Sequence, residues 1–332
     1  MGHSYSTYQT SGIISKNSSR VSGEKEYNTD VQQQSRMDSM AEKTTEKVLI
    51  TENSKLELHF PWETVAPAYD SAVSKLSRKL KIDGFRSGKV PKDVAEKMLN
   101  PESVVEESLQ SVLPAVYAAE LEKSKKQPLG HPSFSIQKAE KNEEWIVIAE
   151  IAEKTELSIK GYEKIVKKAK SEAEKAFAKL DKKEGETEVD AAQRQRTFVL
   201  EEIYKAVLSE YKPSAPELLV RQEVDHDAQD LLKQLKTFHF TLAQYLERRQ
   251  ITEQQLSQEL AATALGRLQL LFFIDAVAAQ IKLEITDADI DTYIEKEVSP
   301  EVKERFHKDQ QYRALIGQTL VRQKVAEHLL AL

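Results

Sequence analysis

Across the half of the chain beyond Gly161, proline occurs only at positions 213, 216 and 300, and the stretches between carry apolar residues three and four positions apart. A backbone with that period and so few breaks is committed to helices, each with an apolar stripe that something must cover. The spacing predicts helices over 162–184, 191–211, 241–249, 252–281, 286–298 and 308–330. Another follows Pro216, where Val220, Val224, Ala228, Leu231 and Leu235 form a single stripe. Thr252 with Gln255, and Thr286 with Asp289, place a capping side chain before an apolar pattern. No fixed-period internal repeat is present.

The front of the chain reads differently. Residues 1–39 hold nine serines and almost no periodic apolar residues, so they cannot bury enough surface to offset their ordering entropy, and a disordered tail or leader is expected. From Val48, VLITENSKLELHF gives two short β-type runs around Glu52, Asn53 and Ser54, the pattern of a hairpin. Pro61 then opens a helix striped by Val65, Ala68, Tyr69, Ala72, Val73, Leu76 and Leu80, and helices over 91–99 and 101–125 also open on proline. QPLGHPSFSIQKAEKNEEWIVIAEI switches to period two with a polar turn at 141–144, a second hairpin that closes a small α+β domain, with Trp62 and Trp145 as hairpin or core anchors. The expected fold is an α+β N-terminal domain over 40–160 followed by a mainly α domain over 191–332, an extended multi-domain architecture with helical arms. Residues 161–190, rich in alternating Lys and Glu, form a helical linker between them.

The residue types present exclude several chemistries. With no cysteine there are no disulfides, thiolate metal sites or cysteine nucleophiles. The seven histidines show no ligand spacing, and consecutive Asp225, His226 and Asp227 point to different faces of a helix, so neither a metal nor a catalytic residue is expected. No nucleotide-binding, dinucleotide or nucleophile-elbow motif occurs, so no cofactor is expected. The run 268–281 carries Gln269, Asp275 and Gln280 and is shorter than the roughly 20 residues that cross a bilayer, so no membrane partner is expected. The N-terminus lacks the pattern of a secretory signal, which makes the cytoplasm the default. A formal net charge of −6 restricts any contact with RNA to a local basic patch.

One such patch exists. In KLKIDGFRSGKVPKDVAEKM, Gly84 and Gly88 bracket Phe85, Arg86 and Ser87, and Pro91 opens the next helix. The glycines permit a tight tip that leaves Phe85 with little local cover, among Arg78, Lys79, Lys81, Arg86, Lys89 and Lys92. Basic groups around an exposed ring suit a surface of phosphates and carboxylates, although a packing turn has the same composition.

These residues resemble the trigger factor chaperones, whose ribosome-binding domain carries a signature close to GFRxGKVP. Gly84, Phe85, Arg86, Gly88, Lys89, Val90 and Pro91 fit it; Ser87 stands where the family often has a basic residue. PLGHPSF, TELSIKGYEKI and QRQRTFVLEEIYKA extend the resemblance over residues 45–332. It implies that residues 40–160 bind the ribosome, that Gly84, Phe85, Arg86, Gly88, Lys89 and Pro91 carry the contact, and that 191–332 cradle substrates. The implied partners are ribosomal protein and rRNA near the exit tunnel and unfolded nascent polypeptides, with a weak homodimer also allowed. The family's FKBP-like prolyl isomerase domain commonly stands between the segments ending here near Val166 and starting near Ala191. About 25 residues cannot hold an independent domain, so 161–190 replace it and no enzyme is expected. For the client surface, the apolar candidates are Phe238, Phe240, Tyr245, Leu271, Phe272, Phe273 and Tyr312, which core packing would equally explain. The expected function is an ATP-independent, ribosome-associated chaperone for nascent chains; the alternatives are a prolyl isomerase chaperone of the same family and a SurA-like periplasmic chaperone.

Overall fold

A computed structural model describes residues 49–80, 85, 90–153, 157–180 and 187–332. The expected tail, residues 1–39, lies outside them. The chain divides into two compact units, one holding Glu52–Lys154 and Pro216–Gln222, the other Thr155–Ala215 and Glu223–Leu332 with the described residues 49–51.

In the first unit, strands β2 (Ser54–Phe60), β3 (Pro128–Lys138) and β4 (Trp145–Glu153) form an antiparallel sheet in the order β2-β4-β3. Alternation decides which face is buried: Leu56, Leu58 and Phe60 point inward while Lys55, Glu57 and His59 point out. Across the register Leu58 faces Val147 and Phe60 faces Trp145, so the two strands present one apolar face. Helices α1 (Trp62–Ser77) and α3 (Pro101–Ser124) cover it with Val65, Val105, Leu109, Leu113 and Tyr117. The short α2 (Lys92–Met98) stands between them in sequence.

The expected hairpin around Glu52–Ser54 does not form. Its second run is β2, paired to β4; its first run is the two-residue β1 (Ile50–Thr51), beside which Leu49 C=O accepts the Ala215 N–H at 2.9 Å. Asn53 is committed elsewhere, its side chain bonded to Glu217 and Leu218, and so does not shape a turn. The second expected hairpin is present as β3–β4, with Glu143 N–H bonded to Glu140 C=O and Asn142 at φ 66° in the turn. Register shifts interrupt β3 at Leu129/Ser133, where Gly130 sits at φ +71° and a Cβ would come within 3.1 Å of Leu219. The positive φ favours glycine there, and an added Cβ would have to push the Leu219 methyl aside by a few tenths of an ångström.

The second unit is helical: α4 (Tyr162–Phe177), α5 (Glu188–Tyr211), α7 (Leu242–Arg249), α8 (Glu253–Gln280), α9 (Asp287–Glu297), α10 (Lys303–Lys308) and α11 (Gln310–Ala331), with most of α6 (Glu217–Thr237). Two-residue β5 (Ala215–Pro216) precedes α6. Thr187/Asp190, Thr241/Gln244, Thr252/Gln255 and Thr286/Asp289 all close reciprocal capping boxes, so four helices start where local chemistry dictates. The main core joins Tyr162, Val166, Ala169 and Ala173 of α4, Val199, Ile203 and Val207 of α5, Phe273, Ile274 and Val277 of α8, and Val325 and Leu329 of α11. Tyr162 lies 2.8 Å from His328 Nε2 through its hydroxyl and meets Phe273 edge-on. Tyr162–Phe177, part of the charged segment expected as a linker, therefore contributes a buried stripe to this core; its lysines and glutamates are exposed or half-buried, and Lys170 donates to Leu330 C=O of α11.

Helix α8 is longer than the apolar run 268–281, because residues 253–267, which mix polar side chains with Leu256, Leu260 and Leu265, belong to the same helix. By length and composition alone it would suffice to cross a membrane. In this fold its apolar side packs against α4, α5 and α11 at one end and, through Leu256, against Leu235, Leu242 and Leu246 at the other. Arg267 on its surface pairs with Glu223 and Asp227 of α6.

Candidate functional site

The segment between α1 and α2 is held at both ends. Val73 and Ala72 on α1 pack with Val104 of α3 and with Leu99, which follows α2, and Ala95 of α2 is fully buried. Pro91 is the N-cap of α2, with φ −57° and ψ 144°, so its ring stiffens the return of the chain into the helix. Between these anchors Phe85 is 42% exposed, an unusual state for a side chain whose burial contributes about 2 kcal/mol or more. Arg78 and Lys79, at the α1 end, are exposed as well. Lys92, the first residue of α2, pairs with Asp70 of α1 at 2.6 Å. Of the remaining sequence candidates in this segment, Gly84, Arg86, Gly88 and Lys89 lie outside the described residues.

In the same unit, Trp62, Tyr69 and Trp145 form a ring cluster with centroids 5.5–6.3 Å apart, and Trp145 Nε1 donates to Glu140 C=O at 2.9 Å. Tyr69 donates its hydroxyl to Glu96 of α2 at 2.9 Å, and Lys141, in the β3–β4 turn, donates to the same carboxylate. Burial and the bond to Glu96 push the Tyr69 pKa up to about 12. The Lys141 ammonium, followed by the Tyr69 hydroxyl, holds the Glu96 carboxyl below the usual range.

The apolar candidates in the second unit separate into three groups. Phe238, just past α6, is 71% exposed. Phe240, Tyr245 and Tyr312 are half-buried, each beneath a guanidinium: Arg248 lies 4.4 Å over Phe240, Arg249 5.7 Å over Tyr245, and Arg305 5.1 Å over Tyr312, which also stacks on Phe306. Leu271 and Phe272 are half-buried on α8. Phe273 is fully buried against Tyr162 and Tyr211 and is a core residue, not client surface: on α8 it falls on the side that faces α4 and α11. Leu315, 59% exposed, and Val189, 78% exposed, are further apolar side chains in solvent. Val189 follows a capping threonine among charged residues, a context in which no periodic signal marks it.

No group of three or more His, Asp or Glu side chains among the described residues is placed to hold a metal ion. His307 lies between Asp291 (3.2 Å) and Glu295 (3.0 Å), and those carboxylates are also bound by Arg313 and Lys303. That cluster ties α9 to α10 and α11, and the histidine spacing alone did not reveal it.

Family models for the bacterial trigger factor protein and for its C-terminus match residues 40–190 and 178–331, so the two together run through all but the first 39 residues and Leu332. A trigger factor from Listeria monocytogenes serotype 4a (strain HCC23) is 31% identical over 149 residues, which is 45% of this chain and 34% of the relative. Another, from Lactococcus lactis subsp. lactis (strain IL1403), is 32% identical over 100 residues, 30% of this chain and 23% of the relative. The matches thus span about a third or less of the length of these relatives. A solved structure from work on promiscuous substrate recognition by the trigger factor chaperone superposes with a TM-score of 0.46 at 14% identity, covering 84% of this chain and 97% of that one. With both halves of the family's pattern matched in order along one chain, the protein belongs to the bacterial trigger factor family.

Proposed function

We propose that this protein is a ribosome-associated, ATP-independent chaperone that shields nascent polypeptides in the cytoplasm. The observation that carries the reading is Phe85: a large apolar side chain held out in solvent between two anchored helices, in a segment rich in Arg and Lys on a chain of net charge −6. An aromatic wedge among cations fits a partner surface of phosphates and carboxylates, and Gly84, Arg86, Gly88, Lys89 and Pro91 complete the contact by their fit to the family signature. Exposed apolar side chains in the second unit, Phe238 and Leu315 foremost, supply surface for unfolded chains. Phe240, Tyr245, Leu271, Phe272 and Tyr312 are partly accessible and extend it.

The reading includes the loss of prolyl isomerase activity. The two family models overlap at residues 178–190, so no unmatched stretch remains between them for a catalytic domain.

Cosedimentation of the purified protein with bacterial ribosomes across a salt series tests the docking. Binding at low salt that weakens steeply as salt rises is expected, because each phosphate contact releases condensed counterions. No binding at low salt refutes the reading. In a proline-limited refolding assay the rate should stay unchanged at substoichiometric protein; acceleration would return the isomerase to the protein.

A further inference from the structure

Helix α2 has seven residues and buries only Ala95 fully. A helix that short does not sustain itself in water; buried Ala95 and Leu99, which follows the helix, give apolar anchorage against α1 and α3, and polar ties add to its orientation. Two are present. The Lys92–Asp70 pair joins side chains 46% and 64% exposed, and pairs so hydrated contribute little. The Glu96 side chain is only 22% exposed and has two partners from different elements: the Tyr69 hydroxyl on α1 at 2.9 Å and Lys141 in the β3–β4 turn. Tyr69 is itself fixed in the Trp62–Trp145 ring cluster, and the Lys141 ammonium lies 5.5 Å over its ring. Glu96 therefore ties α2 to the β3–β4 turn and to α1 at once, one turn beyond Pro91, where the Phe85 segment ends.

We propose that Glu96 is a positioning residue for ribosome docking: through Tyr69 and Lys141 it sets the direction of α2 and hence of the Pro91 end of the segment that presents Phe85. It touches no partner itself. The inference rests on the docking role proposed above and adds to it the residue that pre-organises the contact.

The test is ribosome cosedimentation by the full chain, with far-UV circular dichroism and thermal melting on every variant. Glu96→Ala should weaken binding about tenfold with helix content unchanged. Lys141→Glu should weaken it similarly, since it sets two carboxylates against each other. The reciprocal swap E96K/K141E, which restores opposite charges across the same gap, should return affinity to within about threefold of wild type. A residue needed only for folding would give loss of melting temperature in step with loss of binding, and no rescue. Should E96A lose helix content, Glu96→Gln, which keeps an oxygen for Tyr69 but no charge for Lys141, takes its place. Phe85→Ala separates the two layers of the argument. If F85A loses binding while folded E96A binds as wild type does, or if the swap is as weak as E96A, the positioning role is overturned and docking stands. If F85A binds as wild type does, docking through this segment fails and the role of Glu96 fails with it.

Discussion

Asn53 caps a helix that begins 164 residues further along the chain: its Nδ2 donates to Glu217 at 2.6 Å and its Oδ1 accepts the Leu218 N–H at 2.7 Å. The first turn of a helix has no internal acceptors for its N–H groups, and Leu218 is almost wholly buried, so water cannot take over. Asn53→Ala should lower the unfolding free energy by about 1–3 kcal/mol, the cost of stranding a buried donor. Urea titration followed by tryptophan fluorescence reads this in the unit that holds Trp62 and Trp145. Asn53→Asp keeps the acceptor but faces the Glu217 carboxylate, and should recover only part of the loss.

Replacing Phe85 and Arg86 together by Ala should abolish most ribosome cosedimentation while the melting temperature changes little, because the Phe85 side chain is exposed and carries little core energy. Suppression of aggregation of a denatured client should stay near wild type. A folded double mutant that still cosediments removes the docking role.

Phe273 and Phe238 were equal candidates in the sequence and should behave oppositely. Phe273→Ala opens a cavity beside Tyr162 and should cost about 3–5 kcal/mol in chemical denaturation. Phe238→Ala should shift stability by less than about 0.5 kcal/mol, since the ring is solvated, yet weaken suppression of client aggregation. Equal stability of the two variants would show that the burial of Phe273 is not what holds the second core.

Asp289 is held down to about 2 from 3.8 by the Thr286 backbone N–H first, then by Lys324 and the Thr286 hydroxyl. Its folded pKa lies below its unfolded value, so the stabilisation is complete above that unfolded value and drains away as the pH falls from 3.8 toward about 2. Denaturation midpoints measured through that interval should fall less steeply for Asp289→Asn than for the wild type. Parallel curves would mean that the capping box contributes nothing charge-dependent.

How much of this was legible in the residues follows from the range of each signal. Helix periodicity and caps act within four positions, which is why Thr252/Gln255 and Thr286/Asp289 mark true starts and why most helices lie close to their expected limits, although α4 ends at Phe177 and no expected helix covers the short α10. The β3–β4 hairpin is equally local, and so is the GFRSGKVP string by which the family is recognised. Strand partners and burial are not local. Whether the run at Ile50 pairs with the next run or ends beside Ala215 depends on residues far along the chain, and Asn53, which looks like a turn residue, is drawn off to Glu217 and Leu218. Likewise α8 offers Leu271, Phe272 and Phe273 in succession, and nothing in the run distinguishes them; the helices packed on one side of it bury Phe273 and leave its neighbours half open. The sequence by itself determined most of the helices, the caps at Thr252 and Thr286, and the family, because those are short-range properties of the chain. Only the tertiary structure decided the pairing of the first strands, the docking of α4 and which aromatic rings reach solvent, because each of these depends on what covers a surface and not on the residue that bears it.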